Sequence, residues 1–118
     1  MNLSSLSPEI DLNSTLDRFC GDSAFLIEIL DLFLDEFSSE QPQLLEMSRT
    51  GDFAGLSTKA HYYKGISQNL GLLRFLPEVI SLEQAAKQGD AARCTQAVNA
   101  MDQIAQHLLS LRKSMPGH

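Results

Sequence analysis

The sequence predicts an all-α protein: an up-and-down antiparallel four-helix bundle with a short extra helix at its N-terminal end. Three observations predict it. Apolar residues recur every three or four positions through most of the chain, the spacing that places them on one face of a helix. Gly-Asp occurs at 21–22, 51–52 and 89–90, each time just before a new apolar periodicity begins. Strand signals are absent, with no alternating β-branched run and no Asn-Gly or Asp-Gly hairpin turn.

Each element follows from this punctuation. Leu12, Leu16 and Phe19 suggest a brief leading helix, closed at Gly21-Asp22. Glycine suits the left-handed turn that ends a helix, and aspartate the N-cap that starts the next. From Asp22 onward Phe25, Leu26, Ile29, Leu30, Leu32, Phe33 and Phe37 form a broad apolar face, as a helix touched by several neighbours needs. After Asp52 the stripe is Phe53, Leu56, Ala60, Tyr63, Ser67 and Leu70. Gly71 breaks it. Proline is tolerated in a first helical turn, so a helix beginning near Leu72–Arg74 retains Pro77, and its apolar positions read Leu72, Phe75, Val79, Leu82 and Ala86. The last helix reads Cys94, Ala97/Val98, Met101, Ile104/Ala105, Leu108, Leu111 and Met115. Short connections make neighbouring helices antiparallel. The expected domain spans 10–115, with loose tails at 1–9, around Ser4, Ser5 and Ser7, and at 116–118.

A chain of 118 residues is one small domain, which excludes a multidomain enzyme. Its 43% apolar content supports a single core. No apolar run approaches the roughly 20 residues that cross a bilayer. Residues 1–12 have neither the basic nor the apolar region of a signal peptide. Cys20 and Cys94 are too few for a disulfide framework and lack metal-ligand spacing, so they read as small apolar fillers in a reducing cytoplasm. The net charge of −6 is unevenly spread: residues 1–51 carry ten acids and two bases, whereas 52–88 carry three acids and four bases. Without a basic stripe the chain cannot neutralise a nucleic-acid backbone, and neither nucleic acid nor a membrane surface is an expected partner. Any anion it handles is small, local and in the middle segment.

The helix after Asp52, drawn as a wheel at about 100° per residue, turns His61 roughly 130° away from the core stripe. Ser57, Lys64, Gly65 and Gln68 share that outer strip. A histidine thus stands on helix surface with an ammonium one turn along. Beside it is a glycine, which costs about 1 kcal/mol relative to alanine in a helix interior. Such a bare patch of backbone invites close approach by another molecule. Neutral imidazole is a good nucleophile near neutral pH, and Lys64 would offset phosphoryl charge. There is no Walker-type loop, no acid cluster beside His61 for magnesium and no second base in the strip. The expectation is therefore a phosphoryl carrier whose partner supplies metal and acceptor, not an autonomous enzyme.

The run Ala60-His61-Tyr62-Tyr63-Lys64-Gly65-Ile66-Ser67-Gln68-Asn69-Leu70-Gly71 resembles the motif of histidine-containing phosphotransfer (HPt) domains, His-x-x-Lys-Gly followed by a later glycine. Leu82-Glu83, Ala86 and Gly89-Asp90 are similar to the family's continuation, and Phe33-Leu34 in an acidic helix followed by Gly51-Asp52 to what precedes its histidine. The likeness runs from about Ile10 to Leu111. It implies that His61 is phosphorylated, that Lys64 is its charge partner, and that Gly65 gives room for a docking receiver domain. The partners implied are response-regulator receiver domains and a sensor or hybrid histidine kinase, with magnesium held by the receiver and no cofactor in this chain. A cytoplasmic monomer is expected. Tyr62-Tyr63 departs from the smaller residues usual there; Tyr63 falls on the core stripe, so its hydroxyl must reach an edge or a partner.

Ser57 and Gln68 flank His61 as docking positions; Ile66 and Leu72 fit docking or core, with docking favoured for Leu72 because it projects near His61. Glu83 either faces the site or pairs with Lys87 at i+4. Lys59 and Arg74 could add positive field near the site but fit a solvated face better, and His107 and His118 read as solvated residues. Met1 and the short tails favour a free-standing chain. Two other functions compete: an adaptor bundle that binds a signalling partner without phosphate chemistry, and a metal- or haem-binding bundle, for which the helices offer no inward Glu-x-x-His pair.

Overall fold

A computed structural model describes residues 2–115. They form a 3-10 turn at Ser4–Leu6 and five α-helices: α1 (Leu12–Arg18), α2 (Ser23–Thr50), α3 (Phe53–Leu70), α4 (Phe75–Lys87) and α5 (Ala91–Lys113). The described residues contain no β-strand, only one isolated antiparallel bridge between Ile10 and Leu72. None of their helices is long and apolar enough to cross a membrane.

All three Gly-Asp pairs act as the punctuation predicts. Asp22, Asp52 and Asp90 each cap a helix by accepting the backbone N–H three residues on, from Phe25, Gly55 and Arg93. Gly51 closes α2 in the left-handed conformation, at φ 80°. Pro77 sits in the first turn of α4. Pro42 lies inside α2, where its ring removes one backbone donor; Ser38, Ser39 and Gln43 around it are exposed, so water can serve the bare carbonyl.

α2 packs against both α3 and α5, and α4 packs against the same two helices. At the centre, the Phe75 ring stands edge-on to Phe33 at 5.1 Å and to Phe37 at 5.3 Å between centroids. Tyr63 joins them edge-on to Phe37 at 5.5 Å. The expected α3 stripe is buried from Leu56 through Leu70, with Phe53 half-buried at the helix start. Tyr63 is fully buried, and its hydroxyl donates to Glu40, which also pairs with Lys59. Burial and the Glu40 contact raise the Tyr63 phenol well above its ordinary value.

The N-terminal segment corrects the sequence reading. The expected tail is anchored to the bundle: Ser4, Ser5 and Ser7 are exposed, but Leu3, Leu6, Glu9 and Ile10 are buried, and Ser4–Leu6 meets α5. Burial of each of the three apolar side chains contributes about 1.5–3 kcal/mol. Three apolar residues over eight positions are too short a run to show helical periodicity, which is why the segment read as a tail. The expected tail at 116–118, with His118, lies outside the described residues. The backbone continues the attachment, with Asp11 N–H donating to Gly71 O and Leu73 N–H to Glu9 O. Thr15 and Arg18 of α1 donate to Leu70 O and Asn69 O, satisfying carbonyls at the end of α3. Gly71 turns at φ 66°, and a Cβ there would run into Thr15 Oγ1.

Glu9 is the charged residue at the centre of this attachment. Its side chain is 1% exposed, is gripped by the Arg74 guanidinium, and has His107 Nδ1 2.6 Å from its Oε2. Arg74 and His107, read from sequence as solvated residues, are thus partners of a buried carboxylate. Burial pushes the Glu9 carboxyl up, but the hydrogen bonds and charges of Arg74 and His107 outweigh that and hold it below the ordinary carboxylate value of 4.5. A depressed folded-state pKa stabilises the fold above the unfolded-state value, and that stability is lost as pH falls through the folded-state value. Glu9→Gln should therefore lower stability at neutral pH by about 1–3 kcal/mol. Chemical denaturation should show the gap to wild type narrowing as pH drops below 4.5. A gap constant down to strongly acid pH would show that the Glu9 charge contributes nothing.

Candidate functional site

His61 lies midway along α3, on the face opposite Tyr63. Two residues at about 100° each separate the side chains by about 200°, so burying Tyr63 drives His61 outward. The His61 side chain is 82% exposed, and its Nδ1 is 3.8 Å from Glu83 Oε2. Lys64 Nζ, one turn along, is 3.7 Å from Glu83 Oε1. The Glu83 side chain is only 13% exposed. The sequence left its role open, and the structure turns it toward the site: a carboxylate from α4 faces both the imidazole and the ammonium. Nδ1 is the ring nitrogen nearer that carboxylate, leaving Nε2 for an incoming group.

The other expected site residues divide. Gly65 is exposed, and a Cβ built there would meet nothing within 4 Å. Ser57 lines a shallow depression with Ala54, Thr58, His61, Glu83 and Lys87. Gln68 is exposed further along the strip, at the edge of an apolar groove that includes Leu73, Leu76, Pro77 and Ile80. Leu72 is a correction. It is 2% exposed and bridges to Ile10, so it belongs to the core and not to a docking surface. The left-handed Gly71 turn ends α3 one residue earlier, so Leu72 does not continue the face that carries His61. Lys59 is engaged by Glu40 and adds no free cation beside His61. Cys94 is buried as a filler, and burial raises its thiol pKa; Cys20, expected to be the same, is exposed in a left-handed turn at φ 55°.

Sequence reasoning missed a second surface. Phe25 and Leu32, assigned to the core, are 48% and 59% exposed, and Tyr62 is 47% exposed. Leu32 and Tyr62 line an open groove between α2 and α3 with Ile29, Phe33 and Ile66, bordered by Asp35, Glu36 and Ser39. A hydrogen bond to Glu36, helped by partial burial, pushes the Tyr62 phenol up to about 12, so it stays protonated. On the α3 wheel Gly65 falls between His61 and Tyr62, so the bare backbone joins the histidine to this apolar face. The signal was present in α2, whose apolar face is wider than one helix contact needs. Width alone does not say which edge remains uncovered.

Among the described residues, no three His, Cys, Asp or Glu side chains are grouped as a metal-ligand set. No protein-family model, curated protein or solved structure matches the chain.

The open surroundings of Gly65 give a direct expectation. Gly65→Gln should be as stable as wild type or gain up to about 1 kcal/mol through helix propensity. Gly71→Ala, which combines a positive φ with a collision at Thr15, should be clearly destabilised. Thermal melting of both variants checks this. A sharp loss of stability in Gly65→Gln would mark it as a packing glycine.

Proposed function

We propose that the protein is a phosphorelay intermediate of the histidine-phosphotransfer type. His61 accepts a phosphoryl group from a receiver-domain aspartate and passes it to another. The observation that carries this reading is the exposed imidazole set between Lys64 and Glu83, beside a glycine with open space above it. The α2–α5 pairings fit an up-and-down four-helix bundle, with α1 as the short extra helix, and the sequence resemblance agrees.

In the forward step the Nε2 lone pair of neutral His61 attacks phosphorus. The N–P bond forms as the bond to the aspartate oxygen breaks, and that electron pair leaves on the aspartate carboxylate. The Nδ1 proton stays on the ring, which gains positive character facing Glu83. Lys64 balances phosphoryl oxygen charge. Phosphoryl transfer needs mostly positioning and electrostatics, so the chain acts as a carrier and not as an autonomous enzyme. Magnesium and the carboxylate come from the receiver; a sensor or hybrid histidine kinase stands upstream. The working state is a cytoplasmic monomer whose apolar α2–α3 face, with Ser57, Gly65 and Gln68, receives the partner. That same apolar face also favours a second reading, an adaptor that binds a signalling protein without phosphotransfer.

His61→Gln should keep its helix content and lose all phosphate uptake from phosphorylated receivers. Lys64→Ala should keep it too, with transfer slowed about tenfold, the low end for a charge-assisted contact at a solvated site. Labelling that persists in His61→Gln would overturn the assignment, and stable receiver binding with no labelling of wild type would select the adaptor.

Recognition separates from chemistry at Gly65. Gly65→Gln should fail to exchange phosphate with receivers yet be labelled by phosphoramidate at close to the wild-type rate, because the small donor needs little surface. Receiver transfer at wild-type rate in this variant would move the docking face elsewhere.

A further inference from the structure

We propose that the groove between α1 and α4 is a docking site for an amphipathic helix of a partner protein, one that carries an acid and a base about seven residues apart beside its apolar stripe. This site is independent of phosphotransfer at His61.

α4 carries two apolar rows. Phe75, Val79, Leu82, Ala85 and Ala86 are buried in the bundle. Leu73, Leu76, Pro77 and Ile80 recur at i, i+3, i+4 and i+7, roughly 140° round the helix from the first row. None of the second row is fully buried: Leu73 is 51% exposed, Pro77 is exposed, and Leu76 and Ile80 are half-buried. Apolar residues at this spacing suit a face that another helix covers. α1 does not cover it. That helix packs on the end of α3 and leaves an open groove of about 530 Å³, with the second row of α4 as one wall and Asp11, Ser14 and Arg18 on the other.

Shape and charge define the occupant. A convex helix fills a groove by laying its own i, i+3, i+4 and i+7 side chains along it, whereas a second copy offering the same concave face would meet it only at the rims. The charges lie at the two ends of the α1 wall. α1 spans Leu12–Arg18, about 10 Å, with Asp11 before its first residue and Arg18 at its last. Asp11 caps the helix without a side-chain hydrogen bond, and Arg18 donates to Asn69 O and Thr15 Oγ1. Neither has a partner of opposite charge among the described residues. A helix lying along this wall pairs with both by placing a base beside Asp11 and an acid beside Arg18, about seven residues apart at 1.5 Å per residue. The protein's own exposed stripe on α2, Phe25, Ile29 and Leu32, is flanked by Glu28, Asp35 and Glu36 and offers no base, so the α2 of another copy does not match. Gln68 borders the groove seven residues after His61, about 10 Å along α3, so a helix docked here leaves the imidazole uncovered.

Three synthetic peptides of about 16 residues, long enough to hold a helix, test this. They share one leucine stripe and differ only at two flanking positions seven apart: Glu then Lys, Lys then Glu, or Gln at both. Each is titrated into the isotope-labelled protein, and backbone amide shifts report where and how tightly it binds. One charge order should shift amides of α1 and of residues 72–80 and bind about three- to tenfold tighter than the Gln peptide, the scale of two solvated ion pairs. The other order should show no gain, and high salt should erase the difference. Leu73→Asp and Pro77→Glu change exposed positions, the latter in the first turn of α4 where an acid is favourable. Both should keep the helix content and weaken binding about tenfold or more. Equal affinity for all three peptides, no shifts in the groove at millimolar peptide, or shifts centred on the α2–α3 groove around Tyr62 would each overturn the proposal. A wild-type dimer in sedimentation that Leu73→Asp splits would assign the groove to a second copy instead.

Discussion

The ring of Tyr63 lies against Phe33, Phe37 and Phe75, and its hydroxyl is held by Glu40, so α3 has one rotational setting. A slip of one residue would bring the Tyr63 position round by about 100° and unseat a fully buried aromatic ring. It would also leave Glu40 without its phenol. That cost locks the opposite face, where His61, Lys64 and Gly65 owe their outward direction to this buried anchor and not to contacts of their own. Few interactions then need to be spent at the surface, and the histidine can remain 82% exposed while keeping its orientation.

The charges on that face are arranged around a compromise. Glu83 comes from α4, where Leu82, Ala85 and Ala86 are buried, and its own side chain is only 13% exposed. A carboxylate there supports a ring that gains positive character but opposes an anionic group attached to the same ring. In the proposed phosphorelay role, the balance between those two effects would set how long a phosphorylated His61 survives. The segment Phe53–Lys87, which carries more bases than the acidic α2, holds every residue in this balance.

Much of the helical order was legible in the sequence because it is written in local terms. Asp22, Asp52 and Asp90 cap their helices through bonds spanning three residues, and the Leu56-to-Leu70 stripe repeats with the helical period. The orientation of His61 follows from the same period. What escaped depends on contacts between distant parts of the chain. Leu72 follows a left-handed turn that no wheel describes. Glu9 is buried against Arg74, which immediately precedes α4, and His107 of α5. Phe25 and Leu32 obey the helical spacing and are still exposed, since periodicity marks which side chains share a face but not how far a neighbouring helix covers it.

The grip on Glu9 also bears on the order in which the chain folds. It joins residues 65 and 98 positions apart, so its loops can close cheaply only after the intervening helices have met. Contacts between α3 and α4, which are neighbours in sequence, carry no such delay. The N-terminal segment is therefore a late-docking piece. Interactions made after the rate-limiting step slow the escape from the native state without speeding its formation. On this account Leu3, Leu6 and Glu9 act as a kinetic clasp, and the lifetime of the folded protein, more than its rate of assembly, is what their packing extends.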